Sequence, residues 1–134
     1  MITIQNTVKA PIEKVWAFWT QPEHITQWNN ASEDWHTPKA SNDLTVGGKF
    51  CATMASRDGA MSFDFEGTYT AIKELALIEY VIADGRKVSI TFEVTPEGVD
   101  ITESFDPEKV NPEEMQRQGW QNILDNFKKY TEQH

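Results

Sequence analysis

The spacing of apolar positions shifts along the chain between strand-like alternation and helical periodicity, and each shift marks an element. Ile2, Ile4 and Val8 fall among Thr3, Gln5, Asn6 and Thr7 in near-alternation, which predicts a first strand ended by Lys9, Ala10 and Pro11. Pro11 suits a first helical position, and Ile12, Val15, Trp16 and Trp19 then follow helical spacing. Gln21 and Pro22 break that helix and start a shorter one through Trp28, so the pair reads as a bent helical arm. From Asn29 to Asp43 no clear period survives, and Ser32, Pro38, Ser41 and Asn42 predict a long loop.

From Leu44 to Asp106 strand follows strand, punctuated by Arg57-Asp58-Gly59, Asp84-Gly85-Arg86 and Pro96-Glu97-Gly98. A loop of Ala83-Asp84-Gly85, with Gly85 at positive φ, sets Ile78 and Tyr80 opposite Ile90 and Val88 and keeps one face apolar. The last segment opens with Asn111 as N-cap, Pro112 as first helical residue and Glu113 and Glu114 in the first turn. Met115, Gly119, Ile123, Phe127 and Tyr130 recur at helical spacing, widened by Trp120 and Leu124, with Lys128 and Lys129 suited to the last turn. Such a stripe must lie on the sheet. The fold class is therefore α+β, a curved antiparallel sheet wrapped around one long C-terminal helix, with two short helices after the first strand.

Composition sharpens this picture. A chain of 134 residues fits one domain, and a domain of this size buries roughly two-thirds of the surface its unfolded chain exposes. Five tryptophans and seven phenylalanines supply unusually much aromatic area to pack or to line a site. Twelve basic against twenty-one acidic residues give a charge of −9, which disfavours nucleic acid and anionic membrane surfaces as partners. No leader-like or membrane-spanning run is evident, so a cytoplasmic protein is expected, as a monomer or homodimer. Cys51 is the one cysteine, with no zinc-type spacing around it; no structural metal is expected.

Specific residues also carry a resemblance. Ala10-Pro11 to Val15-Trp16, Trp28, Leu44 to Phe50 with Gly47-Gly48, Phe65-Glu66-Gly67 and Gly119-Trp120, together with the order of elements, resemble the bacterial homologues of the C-terminal domain of the heat-shock-protein-90 ATPase activator. This family lies within the START-like superfamily of polyketide cyclases and the birch-pollen allergen fold. The resemblance implies a helix-grip fold and a cavity between sheet and long helix that accepts lipids, polyketides or other apolar molecules. The eukaryotic activator carries an additional N-terminal domain with no counterpart in these residues, so stimulation of an ATPase by this chain alone is not expected.

On that reading Trp28, Phe50, Met54, Phe65, Tyr69, Tyr80, Ile90, Glu103, Gly119 and Trp120 line the cavity. Gly119 sits on the apolar stripe, where glycine costs about 1 kcal/mol against alanine and requires either close packing or room for a ligand. Trp120 reads as core or as ligand platform. Glu103 shares parity with Val99, Ile101 and Phe105, which puts a carboxylate on the apolar face. Its partner is an ion pair with Arg86, a solvated strand end, or a ligand. Pairing Val94 with Val99 sets Glu103 opposite Ile90 and Arg86 about 13 Å along the neighbouring strand, which favours a hydroxyl such as Tyr80 or water over Arg86. Asp64 and Glu66 have the opposite parity to Phe63 and Phe65 and should face water.

His36, in the predicted loop, is either a surface residue or an acid-base group near neutral pH. Nothing marks a nucleophile: there is no G-x-S-x-G, and Cys51 lies in a strand with no basic residue foreseen on its face. No G-x-G-x-x-G or phosphate loop occurs, so no nucleotide cofactor is expected. Three functions stay open: a binder of a small apolar or aromatic molecule, a cyclase- or hydrolase-type enzyme in which Glu103, His36 and Arg86 converge on the same cavity, and a chaperone-linked interaction domain.

Overall fold

A computed structural model describes residues 1–134. Strand β1 (Ile2–Val8) leads into α1 (Ile12–Thr20) and α2 (Pro22–Trp28), followed by strands β2 (Trp35–Asn42), β3 (Lys49–Ser56), β4 (Ser62–Lys73), β5 (Leu77–Ile82), β6 (Lys87–Thr95) and β7 (Gly98–Phe105), and by the long helix α3 (Glu113–Gln133). The seven strands form one antiparallel sheet in the order β1-β7-β6-β5-β4-β3-β2, so the chain's first strand closes onto its last. The sheet curves into a half-barrel around α3. No helix is long and apolar enough to cross a membrane.

Alternation fixes the register of the central hairpins. Ile78 pairs with Ile90 and Tyr80 with Val88 across the turn, where Gly85 adopts φ 92°. Val94 pairs with Val99, and Glu103 lies opposite Ile90 on β6 and Ile4 on β1. The inward positions of β7, Val99, Ile101 and Phe105, are almost wholly buried, against Leu124 and Phe127 of α3 and Val15 of α1 in the same core.

Four local expectations are corrected. Residues 35–42, inside the predicted loop, form strand β2, which pairs only with β3 at the sheet's edge. Its alternation is masked because Pro38 coincides with a register shift between His36 and Lys39, and an edge is where a residue without an N–H is tolerated in a sheet. Helices α1 and α3 start one residue later than expected: Pro11 (ψ 149°) and Pro112 (ψ 143°) occupy the cap position with extended backbone. Asn111 does not cap α3, because its side chain donates to Glu108 instead. Lys128 and Lys129 lie a turn short of the end of α3, and Lys128 bonds Thr7 O at 2.6 Å and Glu132 at 2.6 Å.

Helix α3 lies along the free edge of β1. Arg117 donates to Thr3 O (2.8 Å), Gln121 to Gln5 O (3.2 Å) and Lys128 to Thr7 O, while Asn6 Nδ2 donates to Leu124 O (3.0 Å). These bonds satisfy carbonyls that an exposed edge would offer to another chain. The opposite half of the molecule is tied by Trp28, whose Nε1 donates to Phe18 O at 2.9 Å, with its ring 4.9 Å from that of Phe127 and 5.0 Å from that of Trp19.

One glycine is required where β1 meets β7. Gly98 has φ 142°, and a Cβ there would collide with the Val8 carbonyl. Gly98→Ala therefore combines a left-handed backbone with a main-chain clash and is expected to lower stability by roughly 3 kcal/mol. Urea unfolding of the variant checks this, and a loss below about 1 kcal/mol would show that the β6–β7 turn relaxes freely.

Candidate functional site: a cavity between the sheet and the long helix

The concave face of the sheet does not close fully onto α3. A cavity of about 410 Å³ remains, and Trp28, Phe50, Met54, Phe65, Tyr69, Tyr80, Ile90, Glu103, Gly119 and Trp120 all line it. Its aromatic floor comes from adjacent strands. Phe50 of β3 sits across from Gly67 of β4, and a Cβ on Gly67 would approach the Phe50 ring to 2.5 Å, so glycine lets the ring lie flat over the strand. The Phe50 ring is 4.7 Å from Tyr80 and 5.4 Å from Tyr69, edge-on to the first and tilted to the second. Phe65 spans the gap between Tyr80 (6.5 Å) and Trp120 (6.1 Å).

Trp120 serves both readings foreseen for it. Its ring stacks on the fully buried Phe105 at 3.9 Å, and it also borders the cavity. Gly119, one position earlier, is not explained by close packing: a Cβ there would meet nothing within 4 Å. The missing side chain leaves open space. Reasoning from the sequence missed the mouth residues Phe63 and Met115, which are 50% and 61% exposed yet border the cavity. Phe63 could have been found, since it shares the parity of Phe65 and pairs with Met54.

The polar groups of the wall divide into two kinds. Tyr69 donates to Asn42 Oδ1 at 2.6 Å, and Asn42 donates to Thr20 O at 2.6 Å, which ties β4, β2 and α1 together; burial pushes the Tyr69 phenol up to about 12. Gln116 bonds Glu108 and Asn111 through both ends of its amide. Glu103 and Tyr80 have no such partners. Glu103 is 6% exposed, and burial alone pushes its carboxyl up to about 8, with neither a hydrogen bond nor a cation to oppose the shift. Tyr80 is held well above the ordinary phenol value by burial and then by the Glu103 charge. The two groups line the same cavity from β7 and β5, with β6 between them, and are not hydrogen-bonded to each other. Tyr80 is therefore not the partner that the register suggested for Glu103. Arg86 is not an ion-pair partner either: its Nε meets Asp84 at 2.8 Å within its own turn.

Other candidates lie elsewhere. His36 sits on β2 opposite Ala55 and does not border the cavity, so His36, Arg86 and Glu103 do not converge. Asp64 and Glu66 are exposed on the outer face of the sheet. There they flank Cys51, whose thiol donates to Glu66 at 3.7 Å. Burial and the two carboxylates push that thiol up, and Lys39 opposes them. Lys39 was not foreseen on this face because the strand carrying it had read as loop.

This geometry has known counterparts. Residues 9–132 match the family described as Activator of Hsp90 ATPase homolog 1-like protein. The chain belongs to this family. An AHSA1-like protein from Aeromonas hydrophila, solved by solution NMR, is 44% identical with a TM-score of 0.93, over 98% of this chain and 92% of its own. A protein from Cytophaga hutchinsonii is 56% identical with a TM-score of 0.85, again over 98% and 92%. A Nitrosomonas europaea protein at 18% identity and a TM-score of 0.85 shares the fold. No functionally curated protein matches the chain. The AHSA1-like fold of this chain is the START-like helix-grip, the sheet gripping its last helix.

Glu103 makes the stability of this AHSA1-family domain depend on pH in a defined direction. In the unfolded chain the carboxyl ionises near its ordinary 4.5, whereas in the folded protein it keeps its proton to about 8. Between those values the unfolded state binds fewer protons, so stability is fully present below the lower value and is lost as pH rises through the window, by about 5 kcal/mol in all. Glu103→Gln removes the titration. Urea unfolding between pH 4.5 and 8.5 is expected to show the variant gaining on the wild type as pH rises. Parallel profiles would mean that the carboxyl is solvated.

Proposed function

We propose that this protein binds a small, largely apolar molecule in the cavity between the sheet and α3. The observation that carries the reading is the cavity's lining, 26 residues of which 18 are hydrophobic, around a volume of about 410 Å³. Ligand pockets are typically about 300–1,000 Å³, apolar, with a few polar groups that orient the occupant. Close-packed cores leave few voids larger than a water molecule, so an opening of this size on the apolar face of a small domain calls for an occupant. Membership of a START-like family supports the same reading, because the superfamily's cavities accept apolar molecules.

Several features suit a binder. Gly119 withholds a side chain from α3 at a position where one would fit, although glycine weakens a helix by about 1 kcal/mol against alanine. Phe63 and Met115 put apolar surface at the mouth, where an entering molecule first meets the protein. Phe50, Phe65, Tyr69, Tyr80 and Trp120 offer ring faces and edges to a flat or aliphatic body. The enzyme reading required His36, Arg86 and Glu103 at one mouth, and His36 is not there. The chaperone reading has family kinship behind it.

A neutral, environment-sensitive dye such as Nile red tests the proposal. It is expected to bind the native protein saturably, and Gly119→Leu, which fills open space, is expected to weaken binding about tenfold or more while far-ultraviolet circular dichroism stays unchanged. Dye affinity unaffected by Gly119→Leu, or no saturable site in the wild type, would contradict it.

A further inference from the structure

The wall of the cavity contains four buried side chains with an ionisable or amide group, Tyr69, Tyr80, Glu103 and Gln116. Tyr69 and Gln116 are satisfied within the protein. Glu103 and Tyr80 make no hydrogen bond within the protein, and they line the cavity from β7 and β5, with β6 between them. Their polar atoms open on the cavity, so water serves them while it is empty and an occupant that displaces that water must supply the partner, an unmade bond there costing roughly 1–3 kcal/mol and more when charged.

The sign of that partner follows from what surrounds the pair. The strands beside Glu103 present Ile90 and Ile4, which are apolar. Tyr80 borders the cavity from β5, Arg86 from the β5–β6 turn, and Glu108 from the segment before α3. Arg86 Nε is bonded to Asp84 and Glu108 to Asn111, and no cation of this chain forms an ion pair with the Glu103 carboxylate. The nearby rings of Phe50, Phe65, Tyr69 and Trp120 carry negative faces that attract a cation. The whole chain adds a charge of −9, which draws cations and repels anions at long range.

We propose that the occupant is an organic cation: an amphipathic amine whose apolar body lies on the aromatic floor and whose protonated nitrogen meets the Glu103 carboxylate, with the Tyr80 hydroxyl beside it. This rests on the small-molecule reading above and gives it a chemical class. Binding balances as an exchange of charge. The neutral Glu103 carboxyl gives its proton to the solvent, the ammonium keeps its own, and the resulting pair is neutral overall. An anionic ligand would meet the same carboxylate, and the one cation on the cavity wall, Arg86, is already bonded through Nε to Asp84.

Three matched probes test this by isothermal titration calorimetry at pH 7 in two buffers of different ionisation enthalpy: 2-naphthylmethylamine, the neutral 2-naphthylmethanol and 2-naphthoic acid. The amine is expected to bind the wild type at least about tenfold more tightly than the alcohol and to release about one proton per molecule bound. Glu103→Gln is expected to abolish the amine's advantage, bringing amine and alcohol within about twofold of each other. An alcohol or acid that binds as tightly as the amine would overturn the cation while leaving the small-molecule reading intact. Binding of none of the three would overturn both. If the variant does not fold, the wild type's proton release decides, and amine binding without it would sink the proposal.

Discussion

The row of hydrogen bonds between α3 and the free edge of β1 sets the height of everything beneath it. Arg117, Gln121 and Lys128 reach main-chain carbonyls on successive outward positions of β1, and Asn6 answers from the strand to Leu124 O. Together they hold one side of the helix at a fixed distance from the sheet. The C-terminal half of α3 docks firmly, with Leu124, Phe127 and Thr131 fully buried and the Phe127 ring 4.8 Å from Trp19. Its N-terminal half presents Met115, Gly119 and Trp120 to a space that no side chain fills. A helix pinned along one edge and packed at one end leaves a cavity at the other. The opening is thus built into the attachment, and a local lapse in packing is not needed to explain it.

Within that space the chemistry is concentrated at one residue. Sheet pleat gives Glu103 no choice of face, because Val99, Ile101 and Phe105 on the same parity anchor the strand's inner side. A carboxyl held there, without donor or cation, penalises the folded protein as soon as its ionised form is favoured in solution. Many sequences could remove that penalty with a glutamine or a leucine. That a destabilising group faces the cavity is the usual mark of a site kept for binding rather than for stability.

Much of this fold was legible in the sequence. The hairpin register could be read because a one-residue slip would have exposed Ile78 and Tyr80 and buried Glu79. Glu103's inward direction followed from parity alone. The features that escaped depend on partners distant in sequence or on weakly patterned edges. Strand β2 pairs on one side only and is interrupted near Pro38, so no alternation announces it. The prolines at 11 and 112 carry the φ of a first helical residue but hold extended ψ, a choice made by the incoming chain. Spacing left Arg86 as a conceivable partner for Glu103, and the turn geometry gave it to Asp84. Phe63 and Met115 read as ordinary members of apolar stripes, and their exposure at a mouth emerges only once the helix stands away from the sheet.

Cavity, family and electrostatics thus meet in the state of a single carboxyl group, and it can be observed directly. A carbon-13 NMR titration of the Glu103 side-chain carboxyl in the ligand-free protein is the most direct measurement. Buried in the cavity wall without a partner, Glu103 should titrate near 8. A midpoint close to the ordinary 4.5 would mean a hydrated or paired carboxylate, and would contradict the account of this cavity as a site that awaits a partner of opposite charge.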